Sequence, residues 1–409
     1  MRLVMSLWPL LLSGGLLLGC NGLQSTLLAV RGGIEGFPVT VIGMFLSAYY
    51  VGLVLGCRFA PAFVRDVGHV RSFTAFASIA SAATLAHAIV VEPVFWLALR
   101  VLTGFSFAAM QMVLEAWLNE RSTNATRGRV LSAYRITDFS FVTAMQASLT
   151  LFDPQSFVVF SLLSVAISLA LVPVALTRVE APPPPVSTRL HLGRLWRVSP
   201  VAFAGAAMVG LAASSYWSMG PVFVRSLGYA GTAAGPFVAS IILGGALAQW
   251  PVGWLSDRFD RRAVLMSCAV GAAGAAVCLP LAGTVSFHAL LGAGAVFGVF
   301  AMPCFGLTVA HANDHADPGE ALSVNGGLLL LYGVAAIAGA SVAPQAMRLL
   351  GPAGLFWWVA SVYVVLVFFC AVRMTRRTAP AATAPYVPVP RTTPTAFALD
   401  PRVPDQSPR

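Results

Sequence analysis

Apolar stretches of twenty or more residues recur from one end of this chain to the other, and they limit its fold more than any single motif does. A hydrocarbon core about 30 Å thick takes roughly 20 apolar residues per helical crossing. A window of that length finds twelve candidates in the 409 residues: 5–30, 38–61, 72–91, 94–117, 130–152 and 156–177, then 200–224, 231–254, 263–282, 286–310, 321–347 and 352–372. In lipid every backbone N–H and C=O must be satisfied within the protein, which leaves helices or a closed barrel. Barrel strands would be about ten residues of alternating polarity, and these segments are twice that length. The chain is therefore expected to be an all-α integral membrane protein with twelve transmembrane helices.

Composition agrees. With 58% hydrophobic and 10% charged residues, against about 25% charged in soluble domains, the chain cannot coat a water-facing surface. That excludes a disordered chain and a nucleic-acid module, and makes the lipid bilayer its main partner. Pro182 to Pro185 with Arg189, Arg194 and Arg197 break the apolar pattern in the middle. The expected organisation is a first six-helix bundle (1–177), a cytoplasmic linker (178–199), a second bundle (200–375) and a Pro-, Ala- and Thr-rich cytoplasmic tail (376–409), read as disordered.

All 25 basic residues are arginine. With the N-terminus inside, nineteen fall in segments placed in the cytoplasm, three (Arg31, Arg225, Arg348) outside and three (Arg58, Arg100, Arg135) within spans. Positive loops mark the cytoplasmic face, so both termini are expected inside, in a bacterial inner membrane. The six cysteines lie singly, without metal or redox spacing, and read as small buried hydrophobes. The Leu17-Leu18-Gly19-Cys20 imitation of a lipoprotein cleavage site is discounted, because eleven more apolar segments follow. Gly244, Gly245, Gly253, Gly271 and Gly274 suit close helix packing.

One loop is distinctive. Gly253-Trp-Leu-Ser-Asp257-Arg258-Phe-Asp260-Arg261-Arg262 follows the eighth span. It resembles the G-x-x-x-D-R-x-G-R-R loop of the major facilitator superfamily, with Asp260 in place of the second glycine. The matching first-half loop, Pro61 to Arg71, aligns with it 192 residues earlier, but Pro61 replaces glycine and Arg65-Asp66 reverses the order. Arg100-Val-Leu-Thr-Gly104 in the fourth span is similar to the superfamily's R-x-x-x-G, whose arginine faces the central cavity. Three stretches resemble the YcaD-like bacterial branch: Gly68 to Phe73, Glu115 to Ser132, and His311 onward through Gly319 to Gly333. The fifth span has neither Gly nor Pro between Phe141 and Leu151, a departure from the family's drug-proton antiporters. The resemblance implies two pseudo-symmetric six-helix bundles, with Asp257, Arg258 and Arg262, joined by Arg261, latching the halves in the outward-facing state. Arg65 and Asp66 are the first-half counterpart.

Polar residues inside spans are the candidate site. An intramembrane arginine or acid is costly and needs a partner or water, which singles out Arg100, Glu115, Arg135 and Asp138. Asp138 is expected about 12 Å from its helix end, with Arg135 or Arg100 as counter-ion. It reads equally as a proton carrier or as one half of a static pair. Arg100 reads as cavity-facing or as snorkelling to the interface. Asn21, Gln24, Tyr49, Tyr50, Ser215, Tyr216, Gln249, Asn325 and Tyr332 could orient a solute or join helices. His311, Asn313, Asp314, His315 and Asp317 read as a solvated turn rather than a metal site. With no nucleotide-binding loop or nucleophile elbow, no enzyme activity and no cofactor are expected. The expected function is secondary active transport of a small organic solute by alternating access, with protons as a candidate coupling ion, by a monomer. The alternative is a transporter-like sensor that binds a ligand without moving it.

Overall fold

The computed structural model describes residues 2–123, 126–175, 182, 191–317, 320–376, 385–388 and 390–400. Its first half contains α1 (Arg2–Ile34), α2 (Val39–Val67), α3 (His69–Ile89), α4 (Pro93–Glu120), α5 (Arg127–Ser148) and α6 (Phe157–Ala175). A short α7 (Leu192–Val198) leads into α8 (Pro200–Ser226), α9 (Ala234–Ser256), α10 (Arg261–Val285), α11 (Phe287–Ala301), α12 (Cys304–Asn313), α13 (Ala321–Leu350) and α14 (Gly354–Arg376). A 3₁₀ helix, Pro394–Leu399, follows.

Among the described residues, eleven spans are long and apolar enough to cross a membrane. The tenth expected span is one of them, bent into α11 and α12 at Met302 and Pro303, where proline removes a helical donor. The remaining expected span is α5, 22 residues long, which carries Arg127, Arg129, Arg135 and Asp138. It tolerates them because it packs between α1 and α9. Helix starts are set locally. Glu92 accepts from Phe95 N at 2.6 Å and Ser199 from Ala202 N at 3.1 Å, each just before a proline at the first helical position.

α1 to α6 pack mainly on one another, as do α8 to α14. Glycines 192 residues apart do the same work in each half. Gly36 and Gly228 take left-handed φ values of 76° and 87° at the ends of α1 and α8. Gly52 lies on the backbone of Val101, joining α2 to α4, and Gly244 on that of Ala295, joining α9 to α11. Neither site has room for a Cβ.

The halves meet at the end of the bundle that carries Ile34 and Val39. A Cβ on Gly43 would come within 2.7 Å of Ala340 O, and Gly235 lies against Gln146 O, so α2 touches α13 and α5 touches α9 through backbone. Ser47 Oγ donates to Ile337 O at 2.9 Å, and Ser218 Oγ to Gly43 O at 3.3 Å. At the opposite end, which carries α7, the 3₁₀ helix Pro394–Leu399 lies against α4 on one side and α13 on the other.

Two expectations are corrected here. Within the tail expected to be disordered (376–409), the described residues Thr393, Pro394, Ala396, Phe397 and Leu399 are buried, while 377–384, 389 and 401–409 lie outside the described residues. Its few apolar side chains find a cleft that composition alone cannot reveal. The His311 to Asp317 stretch was read as a solvated turn. α12 instead runs to Asn313, His311 is buried, and Asp314 forms an ion pair with Arg261 at 2.9 Å with both side chains 1% exposed.

Candidate functional site

Near the closed end, Arg100 lies about 10 Å into α4 and is 1% exposed. Its Nη2 donates to Ser25 Oγ at 2.9 Å, Nη1 to Gln24 Oε1 at 3.4 Å and Nε to Phe45 O at 3.4 Å. The guanidinium also lies 4.6 Å from the Tyr49 ring centroid, and Tyr49 Oη accepts from Asn21 Nδ2 at 2.9 Å. Arg100 therefore ties α1, α2 and α4 together through neutral acceptors and an aromatic face. It does not snorkel and is not the counter-ion of Asp138. A cavity of about 10 Å³, room for one water, separates it from Trp217 and Ser218 of the other half.

Glu115 lies fifteen residues further along α4, about 22 Å away, in the half of the cleft that the closed end does not seal. The length of helix between them keeps Arg100 and Glu115 apart. Glu115 is fully buried. Its Oε1 accepts from Tyr134 Oη, 3.2 Å away, a hydroxyl that also lies 3.1 Å from Gln111 Oε1. The hydroxyls of Thr392 and Thr393 donate to its two oxygens. Immediately after Tyr134, Arg135 Nη1 and Asp138 Oδ2 form an ion pair at 2.5 Å. Its geometry is the i, i+3 spacing of one helix face, with the Arg135 guanidinium over the Phe139 ring at 4.2 Å.

The second half faces this set with aromatics. Tyr332 stacks edge-on with Tyr50 of the first half at 6.3 Å and with Phe305 at 5.1 Å. Arg391 lies over the Tyr332 and Phe305 rings, 5.6 and 5.9 Å from their centroids. Burial works against the charge of this guanidinium, but the surrounding phenol oxygens, Tyr332 and Tyr216 first, outweigh it and raise its pKa further. Sequence reasoning missed Gln111, Phe305, Tyr386, Arg391, Thr392 and Thr393. The available signal was an arginine with Tyr386 and Phe397 in a stretch rich in Pro, Ala and Thr.

The latch residues are all engaged, some by neighbours in the loop and some by distant segments. Arg262 binds Asp260 through Nη2 at 2.7 Å and Nε at 3.1 Å. Burial alone would raise the Asp260 pKa, but the Arg262 hydrogen bonds and charge outweigh it and hold the carboxyl below its ordinary value. Arg258 lies over Trp254 at 3.8 Å. Asp257 Oδ1 lies 3.5 Å from Arg261 Nη2 and accepts from Tyr386 N at 2.6 Å. Arg65 and Asp66 pair with each other at 3.0 Å, both exposed.

The sequence profile described as Major Facilitator Superfamily matches residues 10–340 and 202–399. An MFS-type transporter of Yersinia pestis (strain Pestoides F) is 25% identical over 349 residues, 81% of this chain and 86% of its own. The MFS-type transporter YcaD of Salmonella arizonae is 26% identical over 328 residues, 80% and 84% of the two chains. Among solved structures, the nucleoside transporter NupG superposes with a TM-score of 0.74 at 16% identity, covering 92% of this chain and all of its own. A bacterial homologue of the lysosomal transporter Spinster superposes at 0.70 and 16%, covering 91% and 98%. These structural likenesses establish the fold, and the profile establishes descent: the chain is a multi-pass membrane protein that belongs to the Major Facilitator Superfamily.

Proposed function

We propose that this protein is a secondary active transporter that moves a small organic solute by alternating access. The observation that carries this reading is an asymmetry. The two halves are joined through backbone at one end, by Gly43 and Gly235, and lie on either side of a polar cleft at the other. A secondary transporter of inverted or paired repeats alternates between two such states around a midplane site. The cleft holds Glu115, Arg135 and Asp138 in one half, with Tyr332 and Phe305 of the other half on the far side of Arg391.

In this reading the end carrying α7 is the cytoplasmic one in a bacterial inner membrane, as the arginine distribution supports. Both termini lie inside, residues 1–177 and 200–375 are the two rocking bodies, and the working unit is a monomer. Arg100 with Asn21 and Gln24 braces the closed end of the site. Glu115 is the proton-carrying acid, because its described partners are hydroxyls and the Ala396 backbone N–H rather than a cation, while Asp138 is held by Arg135. Asp257, Arg258, Arg261 and Arg262, with Arg65 and Asp66, form interhalf contacts in the opposite state, when the cytoplasmic ends approach.

The test uses two single cysteines in a background lacking the six native ones: Ser341→Cys at the closed end and Arg58→Cys at the mouth. A membrane-impermeant maleimide is applied to right-side-out and inside-out vesicles. Each cysteine should label from one side only, Arg58→Cys from the cytoplasmic side, and conditions that raise one rate should lower the other. If Ser341→Cys never becomes reactive under any solute or gradient, the protein is a one-state sensor and not a transporter. Uptake driven by an imposed pH gradient should lose its gradient dependence in Glu115→Gln. If it survives there and is lost instead in Asp138→Asn, Asp138 is the carrier.

A further inference from the structure

The cleft is filled by the protein's own chain. At its mouth the backbone N–H of Tyr386 donates to Asp257 and its hydroxyl to Gln249 at 3.0 Å. The Tyr386 ring lies in a slot that exists only because Gly253 and Gly306 lack side chains there. Deeper in, the Arg391 guanidinium faces the Tyr332 and Phe305 rings and lies within hydrogen-bonding reach of Tyr216. Thr392 and Thr393 then donate to both oxygens of Glu115.

Charge and geometry both indicate what such a place accepts. Arg135 and Asp138 neutralise one another at 2.5 Å. Glu115 is a fully buried acid whose described partners are three hydroxyls and the backbone N–H of Ala396, and Arg391, the cation that the tail brings into the same cleft, also lies close enough to Asp138 for their charges to interact. Aromatic faces within about 6 Å attract a cation, most strongly once it is desolvated. The fit of Arg391 is imperfect, since its buried Nη1 has no hydrogen-bond partner. A buried donor left unmatched weakens the bound state, which makes the tail displaceable.

Resting on the transport reading above, we propose that Arg391 occupies the substrate position, and that the transported solute is a small guanidinium or ammonium compound that displaces the tail from between the tyrosine wall and Glu115. The solute's charged group replaces the guanidinium of Arg391, and its hydrogen-bond donors replace the hydroxyls of Thr392 and Thr393. The tail is then an internal competitor that keeps the empty cleft from collapsing or leaking.

The experiment is calorimetric binding to purified protein in detergent. The probes are agmatine, the neutral analogue N-butylurea and the dianion glutarate. They are tested on the full chain, the full chain carrying Arg391→Gln, and a chain ending at Arg376. Agmatine should bind the shortened chain at least tenfold more tightly than the full chain, with Arg391→Gln between them. The neutral analogue should bind at least tenfold more weakly than agmatine, and glutarate should not bind. Glu115→Gln in the shortened chain should cost agmatine tenfold or more. If that variant does not fold, a synthetic 385–400 peptide should displace agmatine from the shortened chain tenfold better with Arg391 than with Gln there. Equal agmatine affinity for full and shortened chains would overturn the proposal. So would no agmatine binding to the shortened chain, or glutarate or the neutral analogue binding as tightly as agmatine. None of these failures affects the maleimide test, which judges alternating access on its own.

Discussion

The two ends of the central cleft are built from different materials. At the closed end the halves touch through glycine and carbonyl oxygen, at Gly43 with Ala340 and Gly235 with Gln146. At the other end the contacts across the cleft run through the tail, by hydroxyls to Glu115 and a guanidinium over aromatics. Close backbone packing excludes water and has one good geometry, whereas a plug held by side chains can leave without breaking a helix. The difference is between an end closed by backbone contact and an end closed by the side chains of the tail.

The contrast can be broken most forcefully at the base of the second half. Asp314→Ala takes from the buried Arg261 its carboxylate at 2.9 Å and leaves Asp257 at 3.5 Å. Removing one partner of a buried pair costs about 3 kcal/mol or more, so a clear fall in the melting temperature is expected by calorimetry in detergent. A melting temperature unchanged from the parent would mean that Arg261 is held by other groups. Next come Gly43→Val and Gly235→Val. Overpacking typically costs about 1–3 kcal/mol, which corresponds to roughly a 5- to 150-fold shift between states. Maleimide labelling of Ser341→Cys should speed up by a factor in that range, and an unchanged rate would show that the closed end does not depend on backbone approach.

A smaller change is expected from the tail. Ending the chain at Arg376 should raise labelling of Tyr332→Cys from the cytoplasmic side about tenfold, equivalent to about 1.4 kcal/mol, and leave Ser341→Cys unaffected. Equal changes at both ends would erase the distinction drawn above. The smallest effect belongs to Asp260. Its folded pKa is depressed, so the Asp260–Arg262 contact contributes stability that is present above the unfolded carboxylate pKa. That contribution is lost as pH falls through the folded value. Asp260→Asn should therefore lower thermal stability slightly at pH 7, by a fraction of a kcal/mol after solvent screening. It should match the parent at acid pH, and a gap that widened on acidification would contradict the sign.

Legibility from sequence varied with the range of the interaction. The spans, the polar character of α5 and the Arg135–Asp138 pair were readable because residues three or four apart in a helix share a face. Arg100 was recognised as needing a partner, yet Gln24, Ser25 and Phe45, which supply it, lie on other helices. Asp314 was misread as solvated because local polarity does not reveal that Arg261 folds against it. Glu115 was identified, but the Thr392 that binds it is 277 residues away. No periodicity carries that distance.

The amino-acid order alone determined that this chain is a helical membrane protein and where its long apolar segments lie. Those properties follow from transfer free energies summed over local windows. Which end of the cleft is sealed, which acid lacks a cation on its own half, and what lies between the tyrosines were decided only by tertiary structure. Each depends on where distant backbone and side-chain atoms arrive together, and in a low-dielectric interior a partner's presence or absence within a few ångströms sets the outcome.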